Sequence, residues 1–359
     1  MPVRANVQPA LLRWARHRAR LSMSALASRF PKLEEWEAGR EAPTLRQLEA
    51  FARATHTSVG YLFLSEAPAE TVPIPDFRTH AAAGVHEPSA NLLDTLYVCQ
   101  QRQEWYREFA RATGEIPLPF VGSLQVGSDE IAAAAVIRDA LKFDVHERRR
   151  LPTWEEALRR FTVLAEDAGI LVMCSGIVLN NSHRPLDVDE FRGFALADVH
   201  APLVFINGAD TKSGQMFTLA HELVHLWIGQ SALSDARARE LGNVGVERWC
   251  NAVAAELLVP DVMIREVYDS EAELSVEVAR LARMFKVSAL VVLRRIHDIG
   301  GLTAQEFWVM YDVELARLGT LGSGDGGNFH ATEAVRVSKR FARAIVESTL
   351  EVALEGSDV

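Results

Sequence analysis

Cysteine is scarce in this 359-residue chain, and its three cysteines, Cys99, Cys174 and Cys250, stand far apart. That excludes a disulfide framework and points to a reducing compartment. No apolar run approaches the roughly 20 residues that a membrane-spanning helix needs, and no signal-peptide pattern opens the sequence. A cytoplasmic protein without a membrane partner is therefore expected. Positive charge is also short: 38 Lys and Arg against 48 Asp and Glu leave a net charge of −10. Indiscriminate nucleic-acid binding is disfavoured, and any contact with DNA must be local. No internal repeat is present. The Gly-rich stretch 320–328 lacks both the Lys-Ser/Thr pair of a phosphate-binding loop and a strand before it, which rejects nucleotide binding. What remains is ordinary globular composition, 48% hydrophobic and 24% charged, over a length that suggests two or three domains.

Against that plain background residues 221–225 read His-Glu-Leu-Val-His. On a helix, His221 and His225 stand one turn apart on one face, close enough to grip one zinc ion. Glu222 can then reach a water in the open position of the metal. It can take that water's proton as the water attacks a peptide carbonyl. The flanking Met216, Phe217, Leu219, Ala220, Leu223, Val224, Leu226 and Trp227 make the helix apolar nearly all round, hence buried. Two imidazoles and a carboxylate are costly there unless a cation pairs them. The competing reading is a buried helix whose histidines are satisfied core groups. Asp210, Thr211 or Ser213 could cap the start, and Gly229 falls where the helix would end.

A third protein ligand must come from elsewhere. Residues 246–259 read as a second buried helix stopped by Pro260, with two carboxylates, Glu247 and Glu256. Nine positions are about 900° of helical rotation, so the two point to opposite faces and cannot both see one metal. Glu247 shares its face with Asn251 and with the small Ala254 and Ala255, which let this helix approach the first. Glu247 is the candidate ligand and Asn251 a candidate partner behind the ligands. A solvated surface charge is the alternative for Glu247. Cys250 is a rival ligand whose softer thiolate suits a structural site; a small buried hydrophobe is its other reading.

Phe217 to His225, followed by Glu247 to Pro260, resembles the ImmA/IrrE family of metallopeptidases. The resemblance implies a gluzincin-like zinc endopeptidase of the bacterial cytoplasm that cleaves repressors of the XRE helix-turn-helix class. It thereby derepresses stress-response or mobile-element genes. Position by position, it makes His221, His225 and Glu247 the Zn2+ ligands and Glu222 the catalytic acid/base.

Residues 10–64 alternate short helical segments with turns and include the step Trp36-Glu37-Ala38-Gly39 and the entry Pro43-Thr44. They resemble the five-helix XRE repressor domain, whose recognition helix enters the major groove. Arg29, Lys32 and Arg40 are then the candidate DNA contacts. The same helix presents Glu34, Glu35 and Glu37 against Lys32, and acidic side chains meet phosphate repulsion. A protein-interaction or dimerisation role, including a homodimer, stays open beside DNA binding.

The expected fold is mainly α with a small β-sheet (α+β). An XRE-like domain at 1–67 is followed by a Pro-rich linker at 68–88 and a zinc metallopeptidase domain at 89–300, with its core at about 150–262. A C-terminal helical extension occupies 301–359. Within this frame, strands are expected at 170–173, 191–197 and 202–207, with Gly193–Ala197 as the edge to which an extended peptide could add. Residues 117–124 read as strand-like, Arg148–Arg150 as a solvated loop, and the helices at 274–290 as packing elements. Two function classes follow. One is a zinc endopeptidase brought by its XRE-like domain to DNA, to an XRE-family repressor substrate or to a second copy. The other is an XRE-type DNA-binding regulator or antitoxin-like protein that uses the zinc domain as a sensor. The linker could also serve as an internal substrate.

Overall fold

The computed structural model describes residues 4–76, 87–234, 245–320 and 337–355. Contacts divide the chain into two compact units, Met1–Pro73 with His80–Tyr97, and Ile74–Thr79 with Val98–Val359. The described residues are mainly helical with one four-stranded sheet, an α+β architecture.

In the first unit, α1 (Pro9–Arg18), α2 (Met23–Ala27), α3 (Leu33–Glu37) and α4 (Leu45–Ala54) precede a 3-10 turn at Val59–Phe63. Each helix is short, so its stability comes from the shared core rather than from helix propensity. That core gathers Leu11, Leu12, Phe30, Trp36, Leu48, Phe51 and Leu62. Thr44 caps α4 in a reciprocal capping box with Gln47. Arg16 pairs bidentately with Glu37 at 2.8 and 3.0 Å, and Arg13 donates to the Glu37 carbonyl, which ties α1 to the end of α3.

Helix α5 (Ala90–Ala112) starts in the first unit and ends in the second. The second unit continues through α6 (Glu130–Leu141), α7 (Val145–Arg150) and α8 (Trp154–Asp167) into the sheet. Its strands are β1 (Leu171–Ser175), β2 (Gly193–Leu196), β3 (Leu203–Asn207) and β4 (Ala232–Ser234), in the order β1-β3-β2-β4. β1 runs parallel to β3, whereas β2 is antiparallel to both β3 and β4. Helix α9 (Lys212–Trp227) separates β3 from β4, and α10 (Val246–Leu258) packs on α9. Then follow α11 (Asp261–Val267), α12 (Leu274–Phe285), α13 (Ala289–Asp298), α14 (Ala304–Thr320) and α15 (Lys339–Glu355). Phe285 and Val292 lie in the same core as Leu219 and Val253, so α12 and α13 are packing elements. The Gly-rich stretch 321–328 lies outside the described residues.

Three expectations are corrected. β2 is not an edge: β3 covers one side and β4, which the sequence did not reveal, covers the other. Residues 117–124 form turns instead of a strand, because their N–H groups serve another element. Gly122 and Leu124 donate to the Leu226 and Trp227 carbonyls at the end of α9, at 3.1 and 2.9 Å, and Phe120 stacks on Trp227 at 4.3 Å. Arg148–Arg150 end a helix, and Arg148 is buried over the Phe143 ring with its guanidinium on the Leu258 carbonyl.

Candidate metal centre

Helix α9 begins where the Thr211 hydroxyl accepts from the Gly214 N–H, so among the three candidate caps Thr211 performs the task. The helix ends as Gly229, at φ +68°, lets the next N–H groups fold back onto the Leu226 and His225 carbonyls. Every residue from Thr218 to Trp227 is buried. His221 and His225 therefore sit one turn apart inside the protein, shielded from bulk solvent.

Glu247, in the first turn of α10, meets both. His221 Nε2 lies 3.2 Å from one carboxylate oxygen and His225 Nε2 lies 3.1 Å from the other, while the two Nε2 atoms are 3.1 Å apart. A four-coordinate ion with bonds of about 2.0–2.1 Å at tetrahedral angles holds its ligand atoms roughly 3.3 Å apart. Each of these separations is close to that between two ligands of one such ion, with the carboxylate turning a different oxygen to each histidine, and one donor atom from each residue lies within 4.8 Å of the others. Among the described residues this is the one group of three His, Cys, Asp or Glu side chains able to hold a metal ion. The Glu222 carboxylate tests the fit in another way: it is fully buried, and the Ser234 hydroxyl, which favours its charged form, falls short of full hydrogen-bond geometry with either oxygen. A buried carboxylate so weakly engaged beside three clustered ligands matches the needs of a bound cation with its water.

The electrostatics follow from burial and from these neighbours. Burial pushes Glu222 up to about 8; His221 opposes this and the Glu247 charge adds to it. Burial would also raise Glu247, but His221 and His225 together outweigh it and hold the carboxylate well below its usual range. Burial works against a protonated His221, yet Glu247 prevails and raises that ring, whereas His225 is lowered by burial. Asn251, buried on α10 one turn after Glu247, favours the protonated His221 ring, although His221 Nδ1 and Asn251 Oδ1 lack full hydrogen-bond geometry.

Residues 165–297 match the Peptidase_M78 family model, the IrrE N-terminal-like domain. No curated protein matches the chain. The Peptidase_M78 match runs from the end of α8 into α13 and contains the whole cluster, which supports a metallopeptidase-like domain of the ImmA/IrrE kind over this stretch.

The other candidates lie apart from this cluster. Glu256, at the far end of α10, pairs with Arg295 at 2.5 Å and accepts the Asp261 N–H. Cys250 is buried outside the metal group, and burial raises its thiol well above the ordinary range. In the first unit, Arg29 lies over the Phe30 ring, Lys32 pairs with Glu41 at 2.9 Å, and Arg40 pairs with Glu35 at 2.5 Å. Arg29 and Lys32 line a cavity of about 380 Å³ with Trp36, Thr44 and Arg46; Arg40 does not.

Sequence reasoning missed two residues of the Peptidase_M78 segment. The Ser234 hydroxyl of β4 lies 3.5 Å from His225 Nε2. Gly193 of β2 is where sheet and helix touch: a Cβ there would come within 2.5 Å of the Thr218 methyl and 3.3 Å of Glu222 Cγ. The one available signal was a lone glycine inside a strand pattern, which marks close approach of another backbone or element.

Proposed function

We propose that this protein is a zinc-dependent endopeptidase of the gluzincin-like type, with Glu222 as its acid/base. The observation that carries this reading is the cluster of His221 Nε2, His225 Nε2 and the Glu247 carboxylate, with a second buried carboxylate, Glu222, directly after the first ligand. His221, His225 and Glu247 would hold Zn2+; bound there, it supplies Lewis acidity and a water of near-neutral pKa. The work of the chain is then to steer protons. Glu222 takes the proton of the attacking water as a base and returns it to the leaving amide nitrogen. Gly193 lets the Glu222 stem sit against β2, and Asn251 steadies the His221 side of the cluster.

The first unit is read as an XRE-like helix-turn-helix domain that brings the peptidase to its target. Two of its three candidate DNA contacts, Lys32 and Arg40, are already paired with carboxylates, which reduces the charge left for phosphate. This favours recognition of a protein, a repressor of the XRE class, over recognition of DNA. Cleavage of such a repressor in the cytoplasm would control stress-response or mobile-element genes. No helix among the described residues is long and apolar enough to cross a membrane. The deciding experiment measures zinc content and cleavage of a panel of XRE-class repressors by the wild type and Glu222→Gln. One zinc per chain, cleavage by the wild type and none by the variant support the peptidase. Operator binding without zinc and without cleavage of any repressor would replace it with the sensor-type regulator.

A further inference from the structure

β4 is three residues long and forms the outer strand of the sheet beside β2. In an antiparallel ladder, alternate residues turn their N–H and C=O groups to opposite sides. Leu233, the middle residue, turns its N–H away from β2, and the acceptor is the Pro75 carbonyl at 2.9 Å. Asp76 completes a parallel bridge with Leu233. The outer edge of β4 is therefore held by an extended piece of the same chain, Ile74–Asp76. The next residue along β4 is Ser234, whose hydroxyl lies 3.5 Å from His225 Nε2, so this edge leads directly to the metal cluster.

Unpaired strand edges are templates for extended peptides, which add by main-chain hydrogen bonds. The edge expected from the sequence, β2, is closed on both sides, whereas β4 offers one outward side at the cluster. The chemistry of the occupant fits temporary occupancy. Pro75 has no N–H and a fixed φ, so it offers a carbonyl to Leu233 but no donor of its own to the ladder. At Pro75 the segment lacks the donor that a longer incoming strand with an N–H at every residue would bring.

We propose that the outer edge of β4 is where an extended peptide docks beside the cluster, and that Ile74–Asp76 holds this edge as a built-in competitor. The inference rests on the peptidase reading above. An incoming substrate strand displaces the segment before its scissile bond reaches the cluster, and because the competitor is tethered its local concentration is of millimolar order. The competitor lowers apparent substrate affinity without touching the reacting atoms.

The test uses the full-length zinc-loaded protein and the triple variant Ile74→Gly, Pro75→Ser, Asp76→Gly. Amide exchange over 231–234 is measured by mass spectrometry without peptide, with α9 as the folding control. Hydrolysis of fluorescein-labelled casein follows, with and without a synthetic peptide of residues 72–79. The expected result is faster exchange at Leu233 alone and a KM about 2- to 13-fold lower at unchanged kcat, the range one net hydrogen bond converts to. The peptide should then inhibit the variant competitively. Unchanged exchange at Leu233, faster exchange with unchanged KM, or cleavage of the chain within 72–79 each overturns the competitor. If neither protein hydrolyses casein, the peptidase reading is what suffers, and calorimetric binding of the 72–79 peptide decides the edge alone. Tighter binding to the variant than to the wild type supports the proposal; equal binding overturns it.

Discussion

Glu247 and Glu256 stand nine positions apart on α10, and both are buried, at 6% and 3% exposure. Their surroundings give them opposite characters. Glu247 opens the helix, where the helix dipole favours a negative charge, and two histidines hold it well below the usual carboxylate range. Glu256 lies near the other end, where the dipole disfavours it. Burial raises it, with Arg295 opposing. That end is covered by cations: Arg138 donates to the Glu256 carbonyl, Arg148 to that of Leu258 and Arg295 to that of Val259. One glutamate thus faces a place for a cation that the chain does not supply, and the other faces cations that it does. A buried charge with a resident partner fixes structure, whereas buried acceptors left without one mark a site kept for something that binds.

The contrast can be broken or sharpened by substitution. The largest effect is expected at Glu222, the buried carboxylate of α9. Glu222→Gln should lower peptide hydrolysis by about 10²–10⁴-fold while zinc content stays at one per chain. Retained cleavage would remove Glu222 from the chemistry. Glu247→Gln should weaken zinc binding by more than the ~10–100-fold that partners behind the ligands are worth. Glu256→Gln, measured by chelator competition alongside it, should leave zinc affinity unchanged. Stability reverses the order: Glu256→Gln removes one of the ion pairs of Arg295, leaving Asp298 at 3.2 Å and the Val259 carbonyl, and should cost about 1.5–3 kcal/mol in denaturant unfolding of the metal-free protein. Equal effects of the two substitutions in both assays would erase the distinction.

Acid–base linkage gives a subtler test. In the metal-free fold Glu222 sits near pKa 8, above its ordinary value of 4.5. The folded state binds that proton more tightly than the unfolded chain does. The stability it contributes is full below about pH 4.5 and is lost as pH rises through 8, on the order of a few kcal/mol. Melting of the protein in chelator from pH 5 to 8.5 should show this loss, and Glu222→Gln should flatten it. The smallest effect is expected at Gly193. Gly193→Ala pushes a methyl group against Thr218 and Glu222 and should cost about 1–3 kcal/mol, with a lower kcat at unchanged zinc content.

Much of this site was legible because helices carry their geometry in their spacing. The separation of His221 from His225 and of Glu247 from Glu256 fixes which side chains share a face, whatever surrounds them. The cap at Thr211, one of three candidates, likewise depends on residues close in sequence. The sheet was less readable. β4 has three residues and no alternation long enough to register, and its pairing with β2 depends on partners some forty positions away. Without β4, the strand at Gly193 reads as an edge. Arg148 failed for a related reason: three successive arginines look solvated until a helix end is brought over one of them. Residues 117–124 have strand-like composition, yet their hydrogen bonds go to the end of α9.

The carbonyls at the end of α9 are served by Gly122 and Leu124, and Trp227 is roofed by Phe120. The end of α10 is likewise served by Arg138 and Arg148. All of these residues lie before position 165, outside the stretch that matches the family model. A fragment trimmed to 165–297 would keep His221, His225 and Glu247 and lose Gly122, Leu124 and Phe120 from the end of α9 and Arg138 and Arg148 from the end of α10. Arg295 would remain on the Val259 carbonyl, while the Trp227 indole would lose its Phe120 cover. The matched stretch is thus narrower than the set of groups that serves the ends of both ligand-bearing helices, and fragment design should begin upstream of Pro117.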